Sequence, residues 1–296
     1  MKTFKTIGMA CLAIAASINF TACGDDDDAV KNENGSISKQ KRPKEIKTYF
    51  DDEDEEGELF TFSYDANGRL TRVTEGWEPE QYIINFTWGN NIITAVSKYS
   101  DSDGETETNI YTLEDNLIKT QKEREWMNNT FTYNSSEQII KMKANDMYSS
   151  PEKDESYELD FTWNNGKITK IVDNSSYTTS IYELTYNGKT YKGWFLPFFY
   201  VLDRELDYIN WAHPELFGER MNQLPESIKE TYYNDNELIS EEKSKMDYTF
   251  DEEGYVKSLT IISTYTSRQD QNGDGIITDD EIDTSTEKAY MTFEWE

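Results

Sequence analysis

The feature that most constrains this chain is a repeated hairpin phrase, seen most clearly as FTFSYDANGRLTRVTE at residues 60–75. Apolar and polar side chains alternate on both sides of a polar turn that is closed by Gly68. Alternation with a period of two, interrupted by a glycine-closed polar turn, predicts a β-hairpin. Similar phrases follow at residues 85–98, 110–122, 130–143, 160–172, 182–193, 230–243 and 248–261.

The residues just before these turns recur at intervals that fit one hairpin per repeat. The intervals are 24, 25, 20, 30 and 23 residues, and the positions are Tyr64, Trp88, Leu113, Tyr133, Trp163 and Tyr186. About 14 to 17 short antiparallel strands in sequence leave two exposed edges unless the sheet curls or closes. The sequence therefore predicts an all-β antiparallel meander of hairpins that forms a strongly curved sheet or barrel.

Composition agrees with this fold class, because aromatic residues make up 14% of the chain and long Leu/Ala-rich segments are missing. No linker divides the repeats, so we predict one domain over residues 44–296, with a first strand from Glu45 to Phe50. A membrane-spanning barrel is disfavoured, since the strand-like segments 105–114 and 122–131 carry charges on both faces.

The rhythm breaks at residues 194–228, the most aromatic segment of the chain. Apolar residues recur there at steps of three and four, which predicts a short amphipathic helix between Pro197 and Pro214. These residues are Phe199, Leu202, Leu206 and Ile209. We expect this helical insertion to be buried against the end or the concave face of the sheet.

The aromatic side chains of the insertion have two possible roles. We expect core packing for Trp194, Trp211 and Phe217, and the alternative is a stacking platform for a sugar. His213 is the only histidine, and a structural role is favoured over catalysis because a Ser-His-Asp site needs partners that the sequence does not supply.

The N-terminus is typical of an exported protein. Residues 1–22 contain two lysines, a short apolar stretch and small residues before Cys23, which predicts a signal peptide. The ending Phe20-Thr21-Ala22-Cys23-Gly24 resembles a bacterial lipobox, and that resemblance implies that Cys23 is lipidated and anchors the protein to a membrane. Cys11 would leave with the signal, so no thiol would remain for a disulfide. The alternative is an ordinary signal peptide with Cys23 as a bystander.

An acidic tether is predicted over residues 23–43. Asp25, Asp26, Asp27 and Asp28 follow Cys23 and resemble the export signal that sends Bacteroidota lipoproteins to the outer face of the outer membrane. The alternative is a solvated tether without a targeting role. The acidic run at residues 51–58 is likewise interpreted as a solvated loop, with a metal site as the alternative.

Net charge excludes one class of partner. The chain carries −29 at pH 7, and the value becomes −31 once the two lysines of residues 1–22 are removed. Such a field repels phosphate backbones, so nucleic-acid binding is not expected. Cations are the favoured partners.

The most specific motif is DQNGDGIITDDE at residues 270–281. It resembles the EF-hand calcium loop at every diagnostic position, and this resemblance covers 12 residues only. It implies a Ca²⁺ site with ligands from six residues: the side chains of Asp270, Asn272 and Asp274, the carbonyl of Ile276, Thr278 directly or through water, and both carboxylate oxygens of Glu281. The flanking segments alternate like strands, so the loop is predicted to close the final hairpin and the ion to act as a staple. A calcium-free acidic turn is the alternative.

Two families share the hairpin phrase. Residues 64–70 resemble the YD repeat of the Rhs family of β-shell proteins. Most of the mature chain is similar to Bacteroidota lipoproteins described as porin-like, in which a phrase like Leu216-Phe217-Gly218 and Leu224-Pro225 interrupts the hairpins. This resemblance implies an architecture and no activity.

Function is therefore predicted only by class. The favoured hypothesis is a calcium-binding, surface-exposed lipoprotein that acts without catalysis as a binding or scaffold module for a glycan or another envelope protein. One alternative is a polysaccharide hydrolase that uses a carboxylate pair, for which the sequence nominates no residues. The other is a purely structural envelope protein.

Overall fold

Sixteen antiparallel strands form a closed barrel in which each strand pairs with its neighbours in the chain and β16 pairs with β1. The computed structural model describes residues 41–50, 57–76, 79–100, 106–123, 127–146, 156–175, 178–190, 192, 209–218, 221, 223–268 and 277–296. The predicted all-β antiparallel meander is confirmed, and the sheet closes. The first strand begins at Pro43, two residues earlier than expected.

The strands follow the hairpin phrases along the chain. They are β1 (Pro43–Phe50), β2 (Glu58–Tyr64), β3 (Leu70–Glu75), β4 (Tyr82–Trp88), β5 (Ile92–Tyr99), β6 (Glu107–Glu114), β7 (Leu117–Glu123), β8 (Met127–Tyr133), β9 (Ile139–Asp146), β10 (Tyr157–Asn164), β11 (Lys167–Asn174), β12 (Thr178–Tyr186), β13 (Pro225–Asn234), β14 (Glu237–Phe250), β15 (Val256–Arg268) and β16 (Ile282–Trp295). Each position predicted to precede a turn lies at or next to the end of an even-numbered strand.

The two ends of the barrel differ in their connections. At one end, which we call the turn end, short turns follow β2, β4, β6, β8, β10 and β14. At the other, the loop end, lie the connections after β1, β3, β5, β7, β9, β11, β13 and β15, among them the predicted calcium loop. The seam between β1 and β16 is held at the turn end by paired backbone hydrogen bonds between Arg42 and Glu296, of 2.8 and 2.9 Å.

Alternation along the strands separates an apolar interior from a polar exterior. Buried Ile46, Phe60, Val73 and Ile84 belong to one hydrophobic cluster that includes side chains from nearly all the strands. Outward positions carry cross-strand hydroxyl and ion pairs: Thr61 with Thr74, Thr185 with Ser227, and Lys141 with Glu158. A lipid-spanning barrel needs a continuous apolar band on its outer face, and these strands present the reverse.

The aromatic insertion between β12 and β13 enters the same core. Its described part has one helical turn at Ile209–Ala212 and a 3-10 turn at Pro214–Phe217. Ile209, Leu216 and Leu224 are buried in the barrel cluster. The predicted helix is therefore present at its C-terminal end, whereas Phe199, Leu202 and Leu206 lie outside the described residues.

Candidate functional site

At the turn end, tyrosine and tryptophan side chains form a ring of hydrogen bonds to backbone carbonyl oxygens. A β-bulge in the β2–β3 hairpin sets Leu70 opposite Tyr64 with Thr71 left over, and bulges disrupt the backbone ladder locally. The carbonyl oxygen of Leu70 accepts a hydrogen bond of 2.8 Å from the indole nitrogen of Trp88 on β4, the strand next to β3. The Trp88 side chain thus supplies a donor where the ladder lacks a backbone N–H.

The same arrangement recurs around the barrel. A tyrosine or tryptophan from an even strand donates to a carbonyl at the start of the odd strand before it, at distances of 2.5 to 3.0 Å. The donor and acceptor pairs are Tyr64–Pro43, Trp88–Leu70, Tyr133–Ile118, Trp163–Ile139, Tyr186–Ile168, Tyr248–Pro225 and Trp295–Val256. The β4–β5 hairpin has a regular register, and the next strand carries Leu113, whose side chain has no polar hydrogen to donate.

Cations cover several of these rings. Arg42 lies over Tyr64 at 5.3 Å, Arg69 over Trp88 at 5.7 Å, and Lys167 over Tyr186 at 5.1 Å from ring centre. The ring faces that these three cations cover are not available for stacking against a pyranose.

His213 fixes the insertion to one wall of the barrel. Its ring is fully buried, its Nε2 accepts a hydrogen bond of 3.0 Å from the amide of Leu70, and its Nδ1 donates to Glu215 at 2.9 Å. The ring meets Trp88 edge-on at 4.9 Å. The structural role favoured from sequence is confirmed by these contacts.

Further along, the insertion reaches the opposite wall. Phe217 is buried and packs edge-on against Phe131 of β8 at 5.7 Å, which agrees with core packing for this residue. The sulfur of Met221 accepts hydrogen bonds from the amide of Ile168 and the hydroxyl of Tyr186. Since β3 and β11 are eight strands apart in a barrel of sixteen, the described residues between 209 and 224 contact opposite walls and form a plug at the turn end.

The loop-end half of the interior is acidic. Carboxylates from seven strands occupy inward positions there, and we call this set the acidic rim: Glu58, Glu75, Glu107, Asp173, Glu230, Glu242 and Glu287. Among the inward positions of the described strands in this half, none is lysine or arginine.

Two neighbouring carboxylates of the rim are set into a hydroxyl network. Glu230 and Glu242 are cross-strand partners on β13 and β14. Glu230 accepts hydrogen bonds of 3.0 Å from Ser180 and Tyr182, and Glu242 accepts one from Ser244 at 3.0 Å. Burial, with a smaller contribution from the charge of Glu242, raises the pKa of Glu230 to about 6.

Another pair lies beside the β1–β2 connection. The carboxyl groups of Glu58 and Glu75 hydrogen-bond each other, and burial together with the charge of Glu75 raises the pKa of Glu58 to about 7. Thr48 of β1 is the cross-strand partner of Glu58 and faces the same interior. Carboxyls in direct contact are closer than either glycosidase geometry allows.

Of the six predicted calcium ligands, the structure describes two and brings them together. Glu281 is buried, and one of its oxygens accepts hydrogen bonds from the amide and the hydroxyl of Thr278 at 3.0 and 2.9 Å. A 3-10 turn at Asp279–Glu281 leads into β16, and the segment closes the final hairpin as predicted. No cluster of three metal-ligating acid, histidine or cysteine side chains occurs within the described part of the chain.

Several sequence-based predictions fall outside the described residues. These are Cys23, residues 23–40 of the acidic tether, Trp194, the side chain of Trp211, and the calcium ligands Asp270, Asn272, Asp274 and Ile276. Sequence reasoning missed the acidic rim. Its signal was present, because Glu58 lies in the alternating phase of Phe60 and Phe62, but only the pairing of strands shows that seven such residues face one another.

The fold is similar to two solved porin-like proteins. One, from Bacteroides uniformis, shares 14% identity over 85% of this chain and 96% of its own, with a TM-score of 0.51. The other, from Bacteroides vulgatus, shares 8% identity over 87% of this chain and 99% of its own, also with a TM-score of 0.51. No family model and no curated protein matches the chain. At these identities the likeness shows the fold.

Within the described residues, no helix has the length and apolar character needed to cross a bilayer.

Proposed function

We propose that this chain is a non-enzymatic envelope protein, held to the outer membrane by a lipid on Cys23 and stabilised by Ca²⁺ in the loop 270–281. Its barrel acts as a cup that is filled at the turn end by the plug and binds its ligand at the acidic rim. The single observation that carries the proposal is the plug, formed by the described residues between 209 and 224, inside a barrel whose described outward positions are polar. The porin-like description of the two similar structures supports an envelope location.

Conductance tests the cup against a pore. The purified full-length protein is added to planar lipid bilayers, with a bacterial porin as the positive control. We expect no stepwise conductance, because residues of the plug contact opposite walls. Open channels of constant size would overturn the proposal.

Anchoring and orientation are tested in cells. We expect Cys23→Ala to release the protein from membranes, and protease added to intact cells to digest the wild type. Release without the substitution, or full protection in intact cells, would contradict a surface lipoprotein.

Calcium is tested by melting. We expect a chelator to lower the melting temperature of the full-length protein, and Asp270→Ala with Asp274→Ala to abolish the difference, because both side chains are predicted ligands. Equal melting of the wild type with and without chelator would end this part of the proposal. A glycan-array screen with Ca²⁺ present then tests the binding role.

A further inference from the structure

Thr48 presents an unusual buried hydroxyl. The residue is 2% exposed on the inward face of β1, and within the described residues its Oγ1 has no hydrogen-bond partner. A buried hydroxyl without a partner costs free energy, so native proteins rarely retain one. A ligand bound by this oxygen would account for the hydroxyl.

The surroundings of Thr48 are oxygen-rich. Glu58 pairs directly with it across β1 and β2, which sets their Cβ atoms about 5 Å apart. Glu58 in turn hydrogen-bonds the carboxyl of Glu75. Glu75 pairs with Phe60 across β2 and β3, so Thr48, Glu58 and Glu75 lie on the same inward face of three neighbouring strands.

We propose that Thr48, Glu58 and Glu75 form a binding site for a hard divalent cation, Mg²⁺ or Ca²⁺, separate from the loop 270–281. The two carboxylates balance the charge of the cation. The hydroxyl of Thr48 supplies a further oxygen.

The donor set selects the class of ion. Oxygen ligands favour Mg²⁺ and Ca²⁺ over soft metals, which prefer thiolate or imidazole. Two carboxylates and one hydroxyl leave several coordination positions to water, as hard hydrated cations commonly retain. The site therefore differs from the calcium loop, whose predicted ligands are nearly all supplied by the protein.

The site is tested in full-length protein that carries Asp270→Ala and Asp274→Ala, so that the loop contributes no binding. Titration calorimetry with MgCl₂ and, separately, CaCl₂ is expected to show one remaining site. Glu58→Gln and Glu75→Gln are each expected to weaken that binding roughly tenfold or more. The matched control is Glu252→Gln, in an exposed turn at the opposite end of the barrel, and it should bind as the parent does.

Thr48→Val separates binding from stability. Valine keeps the shape and removes an oxygen that bonds to nothing among the described residues, so melting in chelator should stay unchanged or rise while cation affinity falls. A drop in melting temperature with unaltered affinity would assign Thr48 a structural role and overturn its part in the site. Absence of binding in the loop-deficient parent, or equal binding by Glu58→Gln and Glu252→Gln, would overturn the site itself.

These outcomes do not depend on the proposed function. A protein without a lipid anchor, or without calcium in the loop, can still bind a cation at Thr48, Glu58 and Glu75.

Discussion

The indole nitrogen of Trp88 donates a hydrogen bond of 2.8 Å to the carbonyl oxygen of Leu70, the residue that a bulge sets opposite Tyr64. Six further pairs repeat this relationship, and each accepting residue stands at a register shift of the ladder. Among the described strands, β4–β5 is the turn-end hairpin with a regular register, and the strand after it carries Leu113, whose side chain has no donor group. A register shift in a turn-end hairpin and a tyrosine or tryptophan donor on the next strand therefore occur together.

Removing one donor from this ring should leave a carbonyl without its partner. Tyr133→Phe deletes the hydroxyl that donates to Ile118 at 2.7 Å, and we expect a loss of about 1 kcal/mol in the free energy of unfolding. Urea denaturation provides the measurement. Tyr49→Phe, on the outward face of β1, is the matched control and should change stability little. Equal effects of the two substitutions would show that the ring bonds are energetically neutral.

The plug should be sensitive to one methyl group at Gly218. A Cβ at this position would lie 2.0 Å from the carbonyl oxygen of Glu137 in the β8–β9 turn. Gly188 also has positive φ, but a Cβ there meets nothing within 4 Å. Both alanine variants have the strain of a left-handed backbone. Any additional loss of stability in Gly218→Ala therefore measures the contact between the added Cβ and the carbonyl oxygen of Glu137. We expect the Gly218→Ala variant to unfold at lower urea, and identical midpoints would refute this.

Glu230 should make stability depend on pH. Its folded-state pKa of about 6 lies above the ordinary value of 4.5, so the folded protein binds the proton more tightly. The resulting stabilisation is complete below about pH 4.5 and is lost as pH rises to about 6 and beyond. Glu230→Gln keeps an acceptor for Ser180 and Tyr182 without the charge.

We therefore expect the stability of Glu230→Gln, relative to the wild type, to rise by roughly 2 kcal/mol between pH 4 and pH 8. Urea titrations at pH 4, 5, 6, 7 and 8, in chelator, measure this difference. Glu226→Gln, at an exposed position on the same strand, should show a flat difference. A flat profile for Glu230→Gln as well would mean that its carboxyl is not buried in charged form.

Glu281 should matter even when no calcium is bound. Its carboxylate caps the amide of Thr278 at 3.0 Å from a buried position, and loss of a cap costs about 1 kcal/mol. Glu281→Ala is expected to lower the melting temperature in chelator, whereas Asp274→Ala should act only when Ca²⁺ is present. If Glu281→Ala melts like the wild type in chelator, the cap contributes nothing.

Much of the barrel follows from local sequence. The hairpins can be predicted because an aromatic residue precedes each of several polar turns, as at Tyr64, Trp88, Tyr133, Trp163 and Tyr186. The alternation of apolar and polar residues is also a local pattern, which needs no knowledge of contacts far apart in sequence. The cost of open edges favoured a curved sheet or a barrel without deciding between them. The meander order follows from the repeats, and the sixteen strands fall within the predicted 14 to 17.

The interior could not be predicted in the same way. Residues 209–224 have no hairpin period, and their contacts with Leu70 and Ile168 join segments far apart in sequence. The pairing of Thr48 with Glu58 depends on where β2 begins, since a shift of one residue would turn Glu58 outward. A repeat pattern does not fix the register of paired strands to within one residue.

The pairing of β1 with β16 has a consequence for biogenesis. These strands are separated by some 240 residues, so the first strand to be synthesised must wait for the last before its outer edge is covered. Until then a nearly complete sheet has two unsatisfied edges. Assembly of this protein should thus depend on chaperones that cover these edges, and cells that lack them should accumulate degradation products from chains whose barrel never closed.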